Sequence, residues 1–238
     1  MRTGILAAPV AFNEEKKIGR VLDRFRAGDV AQVILVDDGS TDGTPREAEA
    51  RGVKVLRHSE RRGVGAAIRT AIRYAQSQRF EILVIVAGND KDRPEEIPRL
   101  VRPIIEDGYE LVQGSRYMPG GSYGNMPLYR QVATRFVHPW LFTLSSGYRI
   151  TDSTNGFRAI HLRLFDDLRI DIEQAWLDGY ELEPYILYKS LTLGHRVVEV
   201  PVTKIYPDTA LGYTKMQPIT GWWKILRPLF LLALGLRR

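Results

Sequence analysis

Short apolar runs alternate with segments of helical periodicity along the first half of the chain. The apolar runs have the length of buried strands and occupy residues 4–10, 31–36, 53–56, 81–86 and 110–113. Between them, apolar residues recur at the spacing of one helix face over residues 14–27, 44–51, 64–77 and 95–106. This alternation predicts an α/β fold in which helices cover both faces of a mostly parallel sheet.

The second half of the chain has a weaker pattern. Residues 128–144 form an aromatic-rich helix candidate that Pro139 should kink or restart. A polar turn over residues 152–158 precedes a short strand, a helix follows over 179–193, and a strand follows over 197–205. Because no repeat or low-complexity linker interrupts the chain, we expect one domain over residues 1–212 and a C-terminal extension over 213–238.

Unusual polar residues follow three of the predicted strands. In parallel sheets, ligands bind beyond the carboxyl ends of the strands, and here those ends carry residues 9–15, 37–42 and 87–92. A turn followed by a helix cap explains much of the loop V-D-D-G-S-T-D-G-T. This interpretation does not explain why Asp37 and Asp38 are adjacent at the end of a buried strand. A carboxylate at that position can accept two hydrogen bonds from a nucleobase or ribose edge.

Composition and charge narrow the function classes. The apolar content of 44% excludes a disordered chain, and the absence of Cys excludes a thiolate metal site. Of the 34 Lys and Arg, five lie in residues 213–238 and four in residues 113–151, and neither segment has an acid. The remainder therefore has 25 basic residues against 28 acidic ones, which is unlike a nucleic-acid-binding surface. The first residues lack a signal-peptide pattern, so we expect a cytoplasmic protein.

A set of motifs runs through the chain in a fixed order. They are P-V-A-F-N-E-E (9–15), V-D-D-G-S-T-D-G-T (36–44), R-G-V-G-A-A-I-R (62–69), G-S-R-Y (114–117), D-S-T-N-G-F-R (152–158), G-Y-E-L-E (179–183) and G-Y-T-K-M (212–216). With them, residues 4–216 resemble the family-2 glycosyltransferases of the GT-A fold, a Rossmann-like sheet flanked by helices. The closer resemblance is to the dolichyl- and polyprenyl-phosphate glycosyltransferases.

The resemblance implies an inverting transfer of a sugar from GDP-mannose or a UDP-hexose to a polyprenyl phosphate. It implies that Pro9, Phe12 and Glu14 line the donor base and ribose, and that Asp38 contacts the nucleoside. The R-G-V-G-A-A segment would place a helix N-terminus near the nucleotide. The alternative interpretation of this segment is a helix start whose glycines permit close packing on the sheet.

The metal site departs from the family pattern. Where the family has D-x-D, residues 87–89 read A-G-N, and acids follow only in N-D-K-D. We expect Mg²⁺ or Mn²⁺ to be held by Asn89 and Asp90 or by Asp90 and Asp92, because hard cations need oxygen ligands. The alternative is a turn in which Asp92 caps the helix after Pro94. A nucleotide-sugar-binding module without activity is a further alternative.

The resemblance places the acceptor phosphate on Arg116, Arg130 and Thr134. Arg130 and Thr134 share a helix face, and no acid within residues 113–151 offers these arginines a local partner. The alternative is a solvated amphipathic face. A phosphate acceptor is ionised and needs positioning, whereas a hydroxyl acceptor would need a base, for which Asp152 is the candidate. With a phosphate acceptor, Asp152 would instead orient the sugar or the acceptor loop.

The C-terminal segment is too short to cross a bilayer. Residues 225–236 include Arg227 and Pro228, and a span needs about 20 apolar residues. Trp222, Trp223 and flanking basic residues predict an amphipathic helix lying on anionic lipid at the cytoplasmic membrane face. The alternative is a helix packed on the domain or on a second copy of the chain, as in a homo-oligomer.

Overall fold

A computed structural model describes residues 4–206 and 220–237 of the chain. The G-Y-T-K-M motif at residues 212–216 and the expected domain boundary after residue 212 lie outside these residues. The strands are β1 (Ile5–Ala11), β2 (Gln32–Asp37), β3 (Lys54–Arg57), β4 (Ile82–Ala87), β5 (Leu111–Ser115), β6 (Ser122–Gly124), β7 (Arg158–His161), β8 (Val197–Pro201) and β9 (Thr203–Ile205). The α-helices are α1 (Glu15–Leu22), α2 (Thr44–Glu49), α3 (Val64–Ser77), α4 (Ile97–Asp107), α5 (Leu128–Val132), α6 (His138–Ser146), α7 (Leu182–Thr192) and α8 (Thr220–Ala233).

Seven strands form the main sheet in the order β3-β2-β1-β4-β7-β5-β8. All neighbouring pairs are parallel except those of β7, which runs antiparallel to β4 and to β5. The mostly parallel sheet predicted from the alternating pattern is therefore confirmed. Strands β6 and β9 form a separate parallel pair.

Alternate residues of the central strands supply two apolar cores, one on each face of the sheet. Leu6 and Ala8 of β1 belong to the core that includes apolar residues of α3, α7 and α8. Ile5 and Ala7 belong to the core under α1 and α4. Because both faces are buried, β1 and β4 are apolar along their whole length, and β2 has polar residues only at its two ends.

The aromatic-rich helix restarts near Pro139, as the sequence predicted. Residues 128–146 are helical throughout, but a π-helical turn (Ala133–Val137) separates α5 from α6. Pro139 lies in the first turn of α6, where its missing N–H and its ring are best tolerated.

The single strand predicted over residues 197–205 is wrong, because it is divided at Val202. The Val202 N–H donates to the carbonyl of Ser115 at 2.9 Å, and the chain then leaves the main sheet as β9 to pair with β6. Proline at 201 cannot donate to a strand ladder, which favours the change of partner there. This departure carries Lys204 towards the carboxyl end of β4, where its backbone pairs with that of Asp92.

Candidate active site

A cavity of about 910 Å³ lies at the carboxyl ends of β1, β2 and β4. The three loops that were expected to form a ligand site all contribute to its lining, so they meet at one cavity as the parallel sheet predicts. The predicted site residues that line it are Phe12, Glu14, Asp38, Asn89, Arg116, Arg130 and Thr134. The remaining predicted residues, Pro9, Asp90, Asp92 and Asp152, are not part of the lining.

Asp38 joins the end of β2 to the start of α3. Its carboxylate accepts hydrogen bonds from the backbone N–H groups of Arg62 and Gly63, each at 2.9 Å, and from His58 Nδ1 at 2.9 Å. The carboxylate is buried and still borders the cavity. Asp38 therefore fixes the position of residues 62–64, which also line the cavity, and presents an anionic acceptor beside them.

The glycines at the start of α3 permit close packing against the segment before α7, and not against the sheet as the alternative had it. A Cβ atom at Gly65 would lie 2.0 Å from the carbonyl oxygen of Leu177, and the N–H of Ala66 donates to the carbonyl of Asp178 at 3.1 Å. Gly63 has φ of 112° and faces the same segment. Thus the helix start both borders the cavity and packs against the segment that leads into α7.

An aromatic face and an ion pair line the β1 side of the cavity. The guanidinium of Arg61 lies 4.4 Å from the centroid of the Phe12 ring, and Glu14 forms an ion pair with Lys17 at 2.5 Å. Pro9 differs from the expectation, because it lies within β1 opposite Val86 and does not reach the cavity.

The loop after β4 directs its two carboxylates away from the cavity. Asp90 has φ of 62° and forms ion pairs with Arg20 at 3.0 Å and Arg24 at 2.8 Å. Asp92 is buried, accepts a hydrogen bond from the N–H of Ala87 at 2.8 Å and forms an ion pair with Lys204. Both carboxylates therefore stabilise the loop.

Lysine side chains occupy the same side of the cavity. Lys204 lies between Asp92 and the side-chain oxygen of Asn155, which it contacts at 3.0 Å. Lys91 is 6% exposed, and its ammonium lies 4.4 Å from the centroid of the Tyr206 ring. Burial, followed by repulsion from Lys204 and Arg130, lowers the pKa of Lys91 to about 7.

These residues do not fit a divalent cation. Of the three predicted ligands only Asn89 borders the cavity, and its buried Oδ1 atom has no hydrogen-bond partner among the described residues. Within residues 4–206 and 220–237, no group of three or more His, Asp or Glu side chains is placed to hold a metal. The expected ligand pairs of Asn89 with Asp90 and of Asp90 with Asp92 are therefore not assembled, and beside Asn89 the cavity presents Lys91. Of the carboxylates that line the cavity, Glu14 is paired with Lys17, and Asp38 accepts hydrogen bonds from residues 58–63.

Arg116 has a carboxylate partner, contrary to the expectation from the acid-free segment. Its Nε and Nη2 atoms donate to the two oxygens of Asp152 at 2.6 and 2.7 Å, and Nη2 also contacts Thr154 Oγ1 at 2.7 Å. The expectation counted acids only up to residue 151. Although burial by itself would lower the pKa of Arg116, Asp152 raises it above its ordinary value. Asp152 is fully buried within this pair, which does not favour its action as a base on a hydroxyl acceptor.

Arg130 and Thr134 lie on one helix side, as their spacing predicted. Both are buried and border the cavity, and Thr134 Oγ1 donates to the carbonyl of Arg130 at 2.8 Å. The Nη1 atom of Arg130 lies 3.5 Å from the hydroxyl of Tyr206. The alternative of a solvated face does not describe these two residues, although other positions of the same helix are exposed.

The C-terminal helix also contributes to the cavity. Arg227 of α8 donates to Glu181 Oε1 at 2.8 Å, and both side chains line the cavity. Burial raises the pKa of Glu181, and Arg227 opposes that rise. Sequence reasoning noticed Glu181 only as part of G-Y-E-L-E, and it missed Lys91, Lys204 and Arg227. The only signal for Lys91 was its place inside N-D-K-D, and no local pattern marks Lys204.

The fold is that of an α/β protein with a cavity at the carboxyl edge of a mostly parallel sheet. A model of glycosyl transferase family 2 matches residues 10–169. The undecaprenyl-phosphate mannosyltransferase of Micrococcus luteus is 32% identical over 223 residues, which cover 89% of this chain and 87% of that protein. The UDP-N-acetylglucosamine–dolichyl-phosphate N-acetylglucosaminyltransferase of Methanococcus voltae is 30% identical over 244 residues, which cover 94% of each protein. The chain therefore belongs to glycosyl transferase family 2.

A solved structure has the same fold. Glucosyl-3-phosphoglycerate synthase from Mycobacterium tuberculosis was crystallised with Mn²⁺, UDP and glucosyl-3-phosphoglycerate. It superimposes with a TM-score of 0.68 at 21% identity, covering 100% of this chain and 82% of that chain. The similarity confirms the GT-A fold predicted from the sequence.

Proposed function

We propose that this glycosyltransferase moves a sugar from a nucleotide-sugar donor to a polyprenyl phosphate, with inversion at the sugar carbon. The observation that carries the proposal is a single cavity that joins two sets of side chains. Phe12 and Asp38 offer contacts for a nucleoside on one side, and Arg116, Arg130 and Thr134 form a polar wall on the other. The names of the relatives support the same pairing of donor and acceptor.

The reaction requires the protein mainly to position the acceptor phosphate and to stabilise the charge on the leaving diphosphate. A phosphate monoester is largely ionised at neutral pH, so its oxygen can attack the sugar carbon without a general base. Arg130 and the hydroxyl of Thr134 can hold this phosphate, and the Arg116–Asp152 pair fixes the wall beside them. As the bond from the sugar to the diphosphate breaks, fixed cations stabilise the charge on the leaving oxygen. Proposed in this way, Asp152 orients the site and does not accept a proton.

The helix that carries Arg130 also presents an apolar surface. Its exposed positions recur every fourth residue, and they include Leu128, Val132, Phe136, Trp140 and Leu144. No helix within the described residues is long and apolar enough to cross a membrane. We propose that this surface lies on anionic lipid at the cytoplasmic membrane face, which would bring a lipid-linked phosphate to Arg130.

The C-terminal helix combines the two alternatives considered from the sequence. Leu229 is buried and Arg227 reaches the cavity, whereas Trp223, Phe230 and Leu234 are exposed. The Nε2 atom of His138 in α6 lies 3.4 Å from the carbonyl of Ile225 in α8. Thus α8 packs on the domain through one side, and its exposed apolar side is proposed to join the lipid-facing surface.

Transfer of labelled sugar tests the proposal directly. GDP-mannose and UDP-glucose are each incubated with a short polyprenyl phosphate, with and without Mg²⁺ or Mn²⁺, and label is followed into the organic phase. We expect transfer that depends on the phosphate of the acceptor. Transfer to a free hydroxyl acceptor, with none to polyprenyl phosphate, would contradict the proposal. Nucleotide binding without turnover on any acceptor would favour a module that lacks activity.

A further inference from the structure

Lys91 is a buried cation at the cavity, and no carboxylate among the described residues forms an ion pair with it. Its side chain is 6% exposed and borders the cavity beside Asn89. The contacts of its ammonium within residues 4–206 and 220–237 include the Tyr206 ring at 4.4 Å and no ion pair with a described carboxylate. A buried ammonium in such a place is costly unless an anion or several acceptors approach it.

The backbone holds Lys91 firmly in this position. Its carbonyl accepts a hydrogen bond from the N–H of Ile205 in β9 at 3.0 Å. The carboxylates on either side, Asp90 and Asp92, are engaged by Arg24 and Lys204. The loop after β4 thus withdraws two carboxylates from the cavity and presents one ammonium to it.

The surrounding charge favours an anion over a cation at this point. Lys204 and Arg130 border the cavity and repel the ammonium of Lys91, whereas Glu14, whose carboxylate forms an ion pair with Lys17, attracts it. A divalent cation placed there would meet the same repulsion and would find only Asn89 as a ligand among the three predicted ones. A diphosphate would instead be attracted by the ammonium of Lys91.

We propose that Lys91 binds the diphosphate of the donor as an ammonium ion, and that the donor binds without a divalent metal. The inference rests on the proposed transfer from a nucleotide sugar. It identifies Lys91 as a positive charge that stabilises the diphosphate leaving group. In the transfer, an oxygen of the acceptor phosphate forms a bond to the sugar carbon. The bond from that carbon to the diphosphate oxygen breaks, and its electron pair stays on the diphosphate. Lys91 keeps its proton and donates a hydrogen bond to the diphosphate.

Calorimetric titration of nucleotides tests the role of Lys91 without requiring turnover. The full-length protein is titrated with UDP, GDP, UMP and GMP in EDTA and again with Mg²⁺ or Mn²⁺. We expect a diphosphate to bind in EDTA and the metal to change its Kd only slightly. In Lys91→Met the diphosphate should bind about tenfold more weakly or worse, as for loss of a charged hydrogen bond, while the monophosphate changes little.

Two further variants control for charge and for folding. Lys16→Met removes an exposed lysine of α1 that does not border the cavity, and it should bind diphosphate as the wild type does. Lys91→Arg keeps the positive charge and should retain binding in EDTA. If Lys91→Met fails to fold, the metal dependence of the wild type and of Lys91→Arg still decides the question.

Two results would overturn the inference about Lys91 and leave the proposed function standing. One is diphosphate binding by the wild type only when Mg²⁺ or Mn²⁺ is present. The other is a folded Lys91→Met variant whose diphosphate Kd in EDTA equals that of the wild type. Failure to bind any nucleoside diphosphate, with or without metal, would instead overturn the proposed function and the inference with it.

Discussion

A buried ion pair limits what the carboxylate of Asp152 can do. Both of its oxygens are engaged by the Arg116 guanidinium, and both side chains are buried. Removing one partner leaves a buried guanidinium without its counter-charge. We expect Asp152→Ala to lower the free energy of unfolding by about 3–5 kcal/mol, measured by urea denaturation.

An exposed pair supplies the matched control for this variant. Asp23 pairs with Arg51 at 2.8 Å on the surface, so Asp23→Ala should have a much smaller effect on unfolding. If Asp152→Ala unfolded like the wild type, and its residual activity were low and lacked the acidic limb of the wild-type pH–rate profile, Asp152 would be a base. That result would also revive the hydroxyl-acceptor alternative.

Arg130 should separate the two substrates kinetically. Its guanidinium is buried beside Thr134 on the proposed acceptor side of the cavity. Arg130→Ala should raise the KM for polyprenyl phosphate about tenfold or more, and the donor KM far less. Arg102→Ala, which removes an exposed arginine of α4 outside the cavity and outside the lipid-facing surface, is the control. Equal effects of Arg130→Ala on both KM values would argue against an acceptor-phosphate role.

The sequence predicted Asp38 and the two arginines of this site but not Lys91. Asp38 and Arg116 could be proposed because they belong to motifs, and Arg130 because the family resemblance placed the acceptor phosphate there. Lys91 could not, since its importance depends on its burial and on the ion pairs that Asp90 and Asp92 form with Arg24 and Lys204. The partner of Arg116 was missed because a count along the chain does not show which residues meet in space.

At the scale of elements, His138 links α6 to the polar turn before β7 and to α8. Its Nδ1 lies 2.6 Å from Ser153 Oγ, and its Nε2 lies 3.4 Å from the carbonyl of Ile225. Burial lowers the pKa of His138 to about 4, although the Ile225 carbonyl and Asp152 oppose that shift. The folded protein therefore keeps this histidine neutral at a pH where the unfolded chain has already protonated it.

The sign of the pH dependence follows from that difference. An ordinary histidine titrates near pH 6.5, so the stability linked to His138 should fall as the pH drops from about 6.5 to about 4. The loss should approach about 1.4 kcal/mol per pH unit within that window. Urea unfolding at pH 7 and pH 5 measures it, and His138→Gln should show a smaller difference between the two. An equal difference in the variant would mean that other groups cause the pH dependence.

Local periodicity located the elements but not their changes of partner. The helix predicted over residues 64–77 was found with those bounds, because an amphipathic segment packed on a sheet follows its own apolar spacing. The strand over 197–205 divided at Val202, because β9 pairs with β6 and not with the main sheet. That choice depends on Ser115 and on β6, which lie far away in the sequence.

At the scale of the whole molecule, the two acid-free segments meet in space. Residues 128–146 and α8 pack against each other, and both present apolar side chains to the outside. Arg135, Lys224 and Arg237 are exposed on the same two segments. The combination of exposed apolar residues and unopposed basic residues is typical of a surface that binds anionic lipid. The remainder of the chain has a slight excess of acids and should contribute little to such binding.

Two exposed leucines allow this surface to be tested with a matched pair of variants. Leu144 of α6 is 71% exposed within the proposed lipid-facing surface, and Leu168 is 92% exposed outside both segments. Leu144→Glu should weaken co-sedimentation with vesicles of phosphatidylcholine and phosphatidylglycerol, because it adds a negative charge and removes an apolar contact. Leu168→Glu adds the same charge elsewhere and should bind as the wild type does.

Raising the salt concentration should reduce binding without abolishing it, since screening acts on the basic residues but not on the apolar ones. If both variants bound vesicles equally well and Leu144→Glu instead dissociated an oligomer, the surface would join copies of the chain.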